Sequence, residues 1–301
     1  MKIPNFYILG AAKAATTSIH EYLNQHPSVF MSDFKEPCYH ILEDNNEKYF
    51  KGARKVKFVN NLLDYKNLFR KANQDHLIIG ESSTPYLLYS DTVIKSLKKH
   101  HENYNDLKFL IVLRNPIKRA FSQYLMRVRD LEEKLDFISS LEIEKKRIED
   151  GFHFDSFYIE KGKYYASTRR YLSEFSNVKI MFFEDFVNDS NSFLQEICEF
   201  LKIESFSFKS IDKKNKSGIS KHKFLVSILK DDFLIKRLLK KVIHKKYLSH
   251  VRSFILDFNL KKNKPKITVK EFNFALNLLT EDIEKLEKLL NKDLSHWKRY
   301  E

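Results

Sequence analysis

Residues 6–23 read FYILGAAKAATTSIHEYL. An apolar run that suits a buried strand gives way to a helical pattern, and between them lies a loop of small residues carrying one lysine, Lys13. Unpaired N–H groups at a helix start, reinforced by the helix dipole, form an anion site. A Walker A loop, G-x-x-x-x-G-K-[ST], places its lysine directly before the Ser/Thr that ligates magnesium. Here the order is Gly10, Ala11, Ala12, Lys13, Ala14, Ala15, Thr16, Thr17, Ser18, so the lysine comes three residues early and alanine stands where a second glycine is expected. The stretch is not an ATPase loop, yet its parts still suit a phosphate: small residues admit an anion to the backbone, Lys13 adds charge, and three hydroxyls sit in the first helical turn. An ordinary strand-to-helix turn with Thr16 as N-cap is the competing reading.

The 301-residue chain has a hydrophobic fraction of 43% and many aromatics, with Phe 26 and Tyr 15, which is ample for a large core. No stretch reaches the eighteen or so apolar residues of a membrane span, and the N-terminal apolar run is too short for a signal peptide. Cys38 and Cys198 provide neither a disulfide framework nor a zinc-ligand spacing. A cytoplasmic setting fits, although a lumenal protein stripped of a membrane anchor would read alike. The net charge of +14 favours anionic partners. Residues 234–256, LIKRLLKKVIHKKYLSHVRSFIL, are dense in Lys and Arg without one acid and read as a basic amphipathic helix. It suits a solvated helix face as well as a grip on an acidic acceptor or a peripheral contact with a membrane surface.

Four apolar runs, 6–9, 77–82, 108–114 and 178–185, alternate with helical stretches. That alternation predicts an α/β fold with a central, mostly parallel sheet flanked by helices, in which ligands gather at the carboxyl ends of the strands. The informative polar residues are therefore those ending the runs: Lys13, Glu81, Arg114, and Glu184 with Asp185. A helix is expected from Pro116, with Ser122 near its first turn, and further amphipathic helices over 187–203 and the C-terminal 280–300. No repeat or linker stands out, so 1–301 reads as one domain with a variable basic segment at about 205–266.

A phosphoryl-transfer P-loop enzyme needs magnesium, held in part by a strand-end aspartate. The corresponding strand here ends in arginine, FLIVLRNP, which repels a cation but holds a phosphate bidentately, and Ser122 can add a hydroxyl. Two anion sites, one at Lys13 to Ser18 and one at Arg114 with Ser122, suit a nucleotide phosphorylated at both 5′ and 3′ positions and point to 3′-phosphoadenosine 5′-phosphosulfate (PAPS). At these residues the chain resembles the PAPS-dependent sulfotransferase family, in particular its branch related to heparan sulfate and bacterial carbohydrate sulfotransferases. GAAKAATTSIHEYLNQHP is similar to that family's 5′-phosphosulfate loop, and LIVLRNPIKRAFSQY to its 3′-phosphate motif. Further matches follow in order: KEPCYH (35–40), GESSTPYLLY (80–89), GKYYASTRRYLSEF (162–175), MFFEDF (181–186), NKSG (215–218) and DLSHW (293–297).

The resemblance implies a P-loop-like three-layer fold in which Lys13, Ala14, Ala15, Thr16, Thr17 and Ser18 bind the 5′-phosphosulfate, and Arg114 and Ser122 the 3′-phosphate. Lys216, Ser217 and Gly218 of NKSG would close over the nucleotide. It further implies sulfuryl transfer, with no metal called for, to a hydroxyl, less fittingly an amine, of a carbohydrate or polysaccharide acceptor, possibly acidic, rather than of a nucleic acid. Glu36 of KEPCYH is the candidate base and Lys13 the stabiliser of the leaving oxygen; desolvation should raise the Glu36 pKa. Glu81 is the rival base, or equally a strand-end carboxylate that orients Lys13 or caps a loop; His40, four residues beyond Glu36, is a candidate for proton transfer or acceptor binding, or equally a structural or merely exposed histidine. The chain departs from the family at Ala15, where glycine is common, and at Ser82, where heparan enzymes often have lysine. The other readings are a nucleotide kinase, which lacks a placeable magnesium acid, and a non-catalytic binder of anionic polysaccharide, which has no need of a 3′-phosphate clamp.

Overall fold

A computed structural model describes residues 3–43, 59–211 and 265–301. The basic run 234–256 and the NKSG loop lie outside the described residues. Each predicted apolar run forms a strand: β1 (Phe6–Gly10), β3 (Ile78–Ser82), β4 (Lys108–Leu113) and β5 (Val178–Phe182), joined by a short edge strand, β2 (Val29–Met31). The strand order is β2-β3-β1-β4-β5 and every pairing is parallel. A parallel strand needs a crossover, usually a helix, and the helices cover both faces. This is why β1 and β4 read as unbroken apolar runs: Phe6 to Leu9 and Phe109 to Leu113 are wholly excluded from solvent.

Helix α1 (Thr16–Leu23) leaves the β1 loop, and α2 (Tyr39–Leu42) and α3 (Leu62–Asn67) follow β2. Helices α4 (Pro85–Leu88) and α5 (Ser90–His100) follow β3, and α6 (Pro116–Arg129) follows β4. The α6 start is built locally: Asn115 caps it by accepting from the N–H groups of Ile117 and Lys118, and Pro116 fills the first position, where a missing N–H costs nothing. Next come α7 (Phe137–Glu142), α8 (Glu144–Glu149), a single 3₁₀ turn at Glu160–Gly162, and α9 (Tyr165–Glu174). After β5, α10 (Phe183–Asn188) runs into α11 (Ser190–Leu201), capped by Asp189. The expected inward residues Phe193, Ile197 and Leu201 are buried on α11, with Leu194 and Cys198 beside them, whereas Phe200 is only partly covered.

The C-terminal α12 (Val269–Leu290) opens with a capping box between Thr268 and Glu271 and buries Phe272, Ala275, Leu279, Ile283 and Leu286. It packs on α6, α7 and α9. Beyond it, the DLSHW segment brings the chain's single tryptophan, Trp297, into the core between Tyr164 and Phe182, with ring centroids 6.3 and 5.9 Å away. The Trp297 carbonyl accepts from the Asn115 side-chain amide at 3.1 Å. The chain's end is thereby tied to the turn that follows Arg114.

Truncating that indole removes a fully buried aromatic and the packing beneath the β4 turn. Trp297→Ala is expected to lower the unfolding free energy by about 3 to 5 kcal/mol in urea denaturation. A loss below about 1 kcal/mol would mean that the C-terminal segment is not part of the cooperative core.

Candidate active site

Because all five strands are parallel, the ends of β1, β3, β4 and β5 open onto one edge of the sheet. Gly10 ends β1 at φ 150°, and a Cβ there would lie 3.2 Å from Leu87 Cβ and 3.3 Å from the Thr84 carbonyl, so glycine is required. Ala11 then donates its N–H to Val112 O at 2.7 Å, pinning the loop to β4. Lys13 and Ala15 both adopt left-handed backbone, at φ 71° and 59°. The residue at the N-cap of α1 is Ala15, with no side-chain cap, and Thr16 is already helical. This corrects the ordinary-turn reading, in which Thr16 caps the helix. The first-turn N–H groups at Thr16, Thr17 and Ser18 have no intrahelical acceptors, the arrangement that receives an anion.

The Arg114 guanidinium donates through Nη1 to the Lys13 carbonyl at 2.7 Å and lies 4.4 Å over the Phe183 ring. Its own carbonyl accepts from Tyr164 OH at 3.0 Å. The two predicted anion sites are therefore joined directly, loop to strand end. Ser122 sits on α6, partly exposed, two turns beyond Arg114. The Lys13 ammonium lies 3.7 Å from Met126 Sδ. Burial, then the charges of Arg129, Arg114 and Arg119, push its pKa down to about 8, against the opposing pull of Asp130. A lysine so placed gains most from an arriving anion.

Glu36 lies on the loop after β2, where its N–H donates to Ser82 O at 3.0 Å. Its carboxylate accepts from Lys35 Nζ at 2.9 Å and from Thr84 Oγ1 at 3.0 Å and is partly open to solvent. Burial pulls its pKa upward, but the charge and hydrogen bond of Lys35 outweigh burial and hold it below the usual carboxylate range. The expectation of a raised pKa is thus corrected: Glu36 is firmly ionised. Asp155 and Lys161, whose side chains meet at 3.3 Å, act on it electrostatically from the segment before α9. The sequence reading did not single them out, although Lys161 directly precedes the quoted GKYYASTRRYLSEF. Of seven non-glycine residues with positive φ among the described residues, four, Lys13, Ala15, Glu36 and Cys38, lie in these two loops. Backbone strain of order 1–3 kcal/mol per residue persists where the surroundings enforce it, and it clusters at functional sites.

The structure sets the two other candidates apart. His40 is wholly buried, with Nδ1 2.8 Å from Ser96 Oγ and Nε2 3.3 Å from Tyr65 OH. Burial, helped by His101 and His100, holds its pKa well below the ordinary value. Its role is to pack and hydrogen-bond behind the site, which corrects its assignment to proton transfer or acceptor binding. Glu81 is also fully buried, accepting from Tyr65 OH at 3.0 Å and Ser83 Oγ at 3.5 Å. Desolvation raises its pKa to about 8, so it is a mostly neutral core carboxyl at pH 7. His20, read as structural, bonds Ser32 O through Nε2 at 3.1 Å. Glu184 Oε1 accepts the Asn115 N–H at 3.3 Å and steadies the turn after Arg114.

A model of the sulfotransferase family matches residues 4–207. The chain belongs to the sulfotransferase family. It is similar to a sulfotransferase from Alicyclobacillus acidocaldarius, whose crystal structure matches with a TM-score of 0.73 and 27% identity, covering 99% of this chain and 100% of that one. Mouse sulfotransferase SULT7A1, solved complexed with PAP, shares the fold at a TM-score of 0.52 and 15% identity, over 95% of this chain and 87% of that one. The membrane-associated sulfotransferase kil1 of Dictyostelium discoideum is 27% identical over 130 residues, 43% of this chain. The chain spans only 24% of that relative's length. No helix among the described residues is long and apolar enough to cross a membrane.

Glu81 gives the chain a pH signature. Its folded pKa, about 8, lies above the ordinary 4.5, so its stabilising contribution is complete below pH 4.5 and is lost as pH rises through 8. Glu81→Gln, neutral at every pH, should flatten the decline in urea midpoint between pH 5 and 8.5, removing on the order of a few kcal/mol of pH dependence. Parallel declines in both proteins would contradict this environment for Glu81.

Proposed function

We propose that the chain transfers the sulfuryl group of PAPS to a hydroxyl, less fittingly an amine, of a carbohydrate acceptor. The observation that carries this reading is the 2.7 Å hydrogen bond from Arg114 to the Lys13 carbonyl, which joins a strand-end guanidinium to the small-residue loop. A nucleotide with phosphates at both 5′ and 3′ positions fits two such linked sites. The PAP bound to mouse SULT7A1 supports the same donor. In this reading the N–H groups and hydroxyls of Thr16, Thr17 and Ser18 hold the 5′-phosphosulfate, while Arg114 and Ser122 take the 3′-phosphate.

Sulfuryl transfer then needs a base, charge on the leaving phosphate, and in-line placement. Glu36 is the base. Ionised by Lys35, it is ready to accept a proton at neutral pH, and its proton affinity rises if Lys35 turns from it toward an incoming anionic acceptor. Lys13 meets the oxygen on which negative charge grows as the sulfur–oxygen bond breaks. The carbohydrate assignment rests on the resemblance of KEPCYH and its companion motifs to carbohydrate sulfotransferases. A second base is not needed, since Glu81 is buried and His40 is committed to Ser96 and Tyr65.

Calorimetry tests the donor. PAP should bind without metal and more tightly than AMP, and Arg114→Ala should weaken PAP about tenfold or more, a lost charged hydrogen bond being worth roughly 1.5–3 kcal/mol, and should weaken AMP less than PAP. Equal affinity for AMP and PAP would overturn the two-site reading. Glu36→Gln should cut turnover with any acceptor that the wild type sulfates by roughly a hundredfold or more, at unchanged PAP affinity. Full activity in that variant would remove Glu36 from the mechanism.

A further inference from the structure

Helix α6 begins beside Arg114, at the proposed 3′-phosphate site, and runs three turns to bring Met126 Sδ within 3.7 Å of the Lys13 ammonium. On a helix, residues three apart are neighbours on one face, so Arg129 extends the same face one turn beyond Met126. The helix stops there. Asp130 follows as C-cap, and Leu131 turns left-handed at φ 54°. Asp130, itself mostly buried, grips the guanidinium of Arg129 along one edge, with Oδ1 at 2.9 Å from Nε and Oδ2 at 3.2 Å from Nη2. Such a bidentate grip fixes the plane of the guanidinium as well as its position. The Arg129 side chain remains about a quarter exposed, so the group is held yet reachable. A cation at a helix C-terminus is favoured by the dipole, which helps to keep it there.

We infer that Arg129, clamped by Asp130 at the end of α6, is a second catalytic cation that binds the oxygens of the sulfonate being transferred, beside Lys13. The inference rests on the PAPS reading above. In the step itself, the acceptor oxygen forms a bond to sulfur while the bond from sulfur to the 5′-phosphate oxygen breaks. The electron pair leaves with PAP, and the acceptor proton passes to Glu36. The sulfonate oxygens carry charge throughout, and a guanidinium presents a planar donor set to them where an ammonium offers only a point charge. Lys13 serves the bridging oxygen and Arg129 the sulfonate, which accounts for two cations held close together although each disfavours the other.

The electrostatics agree with the placement. Beyond burial, Arg129 is the foremost influence lowering the pKa of Lys13, with Arg114 and Arg119 acting in the same sense and Asp130 against them. Among the described residues these four groups, on α6, at its C-cap and at the end of β4, bear on the Lys13 ammonium, whose pKa is about 8.

PAP lacks the sulfonate and PAPS carries it, so the pair reads out Arg129 directly. In calorimetry, Arg129→Met should weaken PAPS about tenfold or more and leave PAP within threefold of wild type. Retained PAP affinity also shows that the variant is folded, and Arg129→Lys should recover part of the loss. The wild-type affinity for PAPS should fall above about pH 8 as Lys13 loses its proton, and in Arg129→Met that fall should move to higher pH. A merely structural Arg129 would leave the PAPS-to-PAP ratio where it is, whereas the pH limb reports only that its charge bears on Lys13. Equal losses for the two nucleotides, or none, with a wild type that binds both, would overturn the assignment of Arg129 alone. A wild type that binds neither would overturn the donor reading, and this assignment with it.

Discussion

The bond from the Arg114 guanidinium to the Lys13 carbonyl couples the ends of two central strands. It exists because the sheet is parallel: β1 and β4 lie side by side and finish on the same edge, so the loop leaving one meets the arginine ending the other. The wholly apolar interiors of both strands hold this alignment. Ala11, bonded to Val112, pins the start of the loop, and Arg114 pins its middle. From the second of those points into α1 the chain adopts left-handed backbone at Lys13 and Ala15, a conformation that L-residues other than glycine seldom adopt. The C-terminal segment braces the same turn from below, through the Trp297 carbonyl and the Asn115 amide.

The charge arrangement follows from that frame. Lys13, Arg114, Arg119 and Arg129 converge from β1, β4 and α6, and burial lowers the pKa of the first three. Arg119 turns inward, donating from its two terminal nitrogens to Gln123 at 2.6 Å and to the Tyr158 carbonyl. Cations brought this close repel one another, and an anion arriving among them relieves that repulsion as well as supplying its own attraction. A site of this kind favours a polyanionic ligand over a neutral one before any shape is considered. On the opposite side, Lys35 and Lys161 with Asp155 surround Glu36 electrostatically, so the candidate base sits in mixed charge while the donor loop sits in positive charge.

Much of this was legible in the sequence, where the physics is local. The four longer strands announced themselves as apolar runs, and Pro116 marked the start of α6. The edge strand β2, three residues long, is too short to show a pattern and is defined by its pairing with β3. Lys13 and Arg114 were visible as the polar residues that end buried runs; their hydrogen bond is a tertiary contact across 101 positions. His40 misled because four residues separate it from Glu36, a spacing that suggests a shared face. The left-handed turns at Glu36 and Cys38 instead send His40 into the core. The direction of the Glu36 shift was also out of reach, since it depends on whether the adjacent Lys35 folds back onto the carboxylate, as it does at 2.9 Å. Arg129 was only one basic residue among many until its three-residue offset from Met126 acquired a meaning from Lys13.

The claim on which the rest depends is that one nucleotide spans both anion sites, and a crystal structure of the chain grown with PAP tests it most directly. The account predicts the 5′-phosphate on the N–H groups and hydroxyls of Thr16, Thr17 and Ser18. It places the 3′-phosphate within hydrogen-bond distance of Arg114 and Ser122, with Arg114 still bound to the Lys13 carbonyl. A PAP molecule seated with its 3′-phosphate away from Arg114, or bound outside the edge where β1 and β4 end, would contradict it.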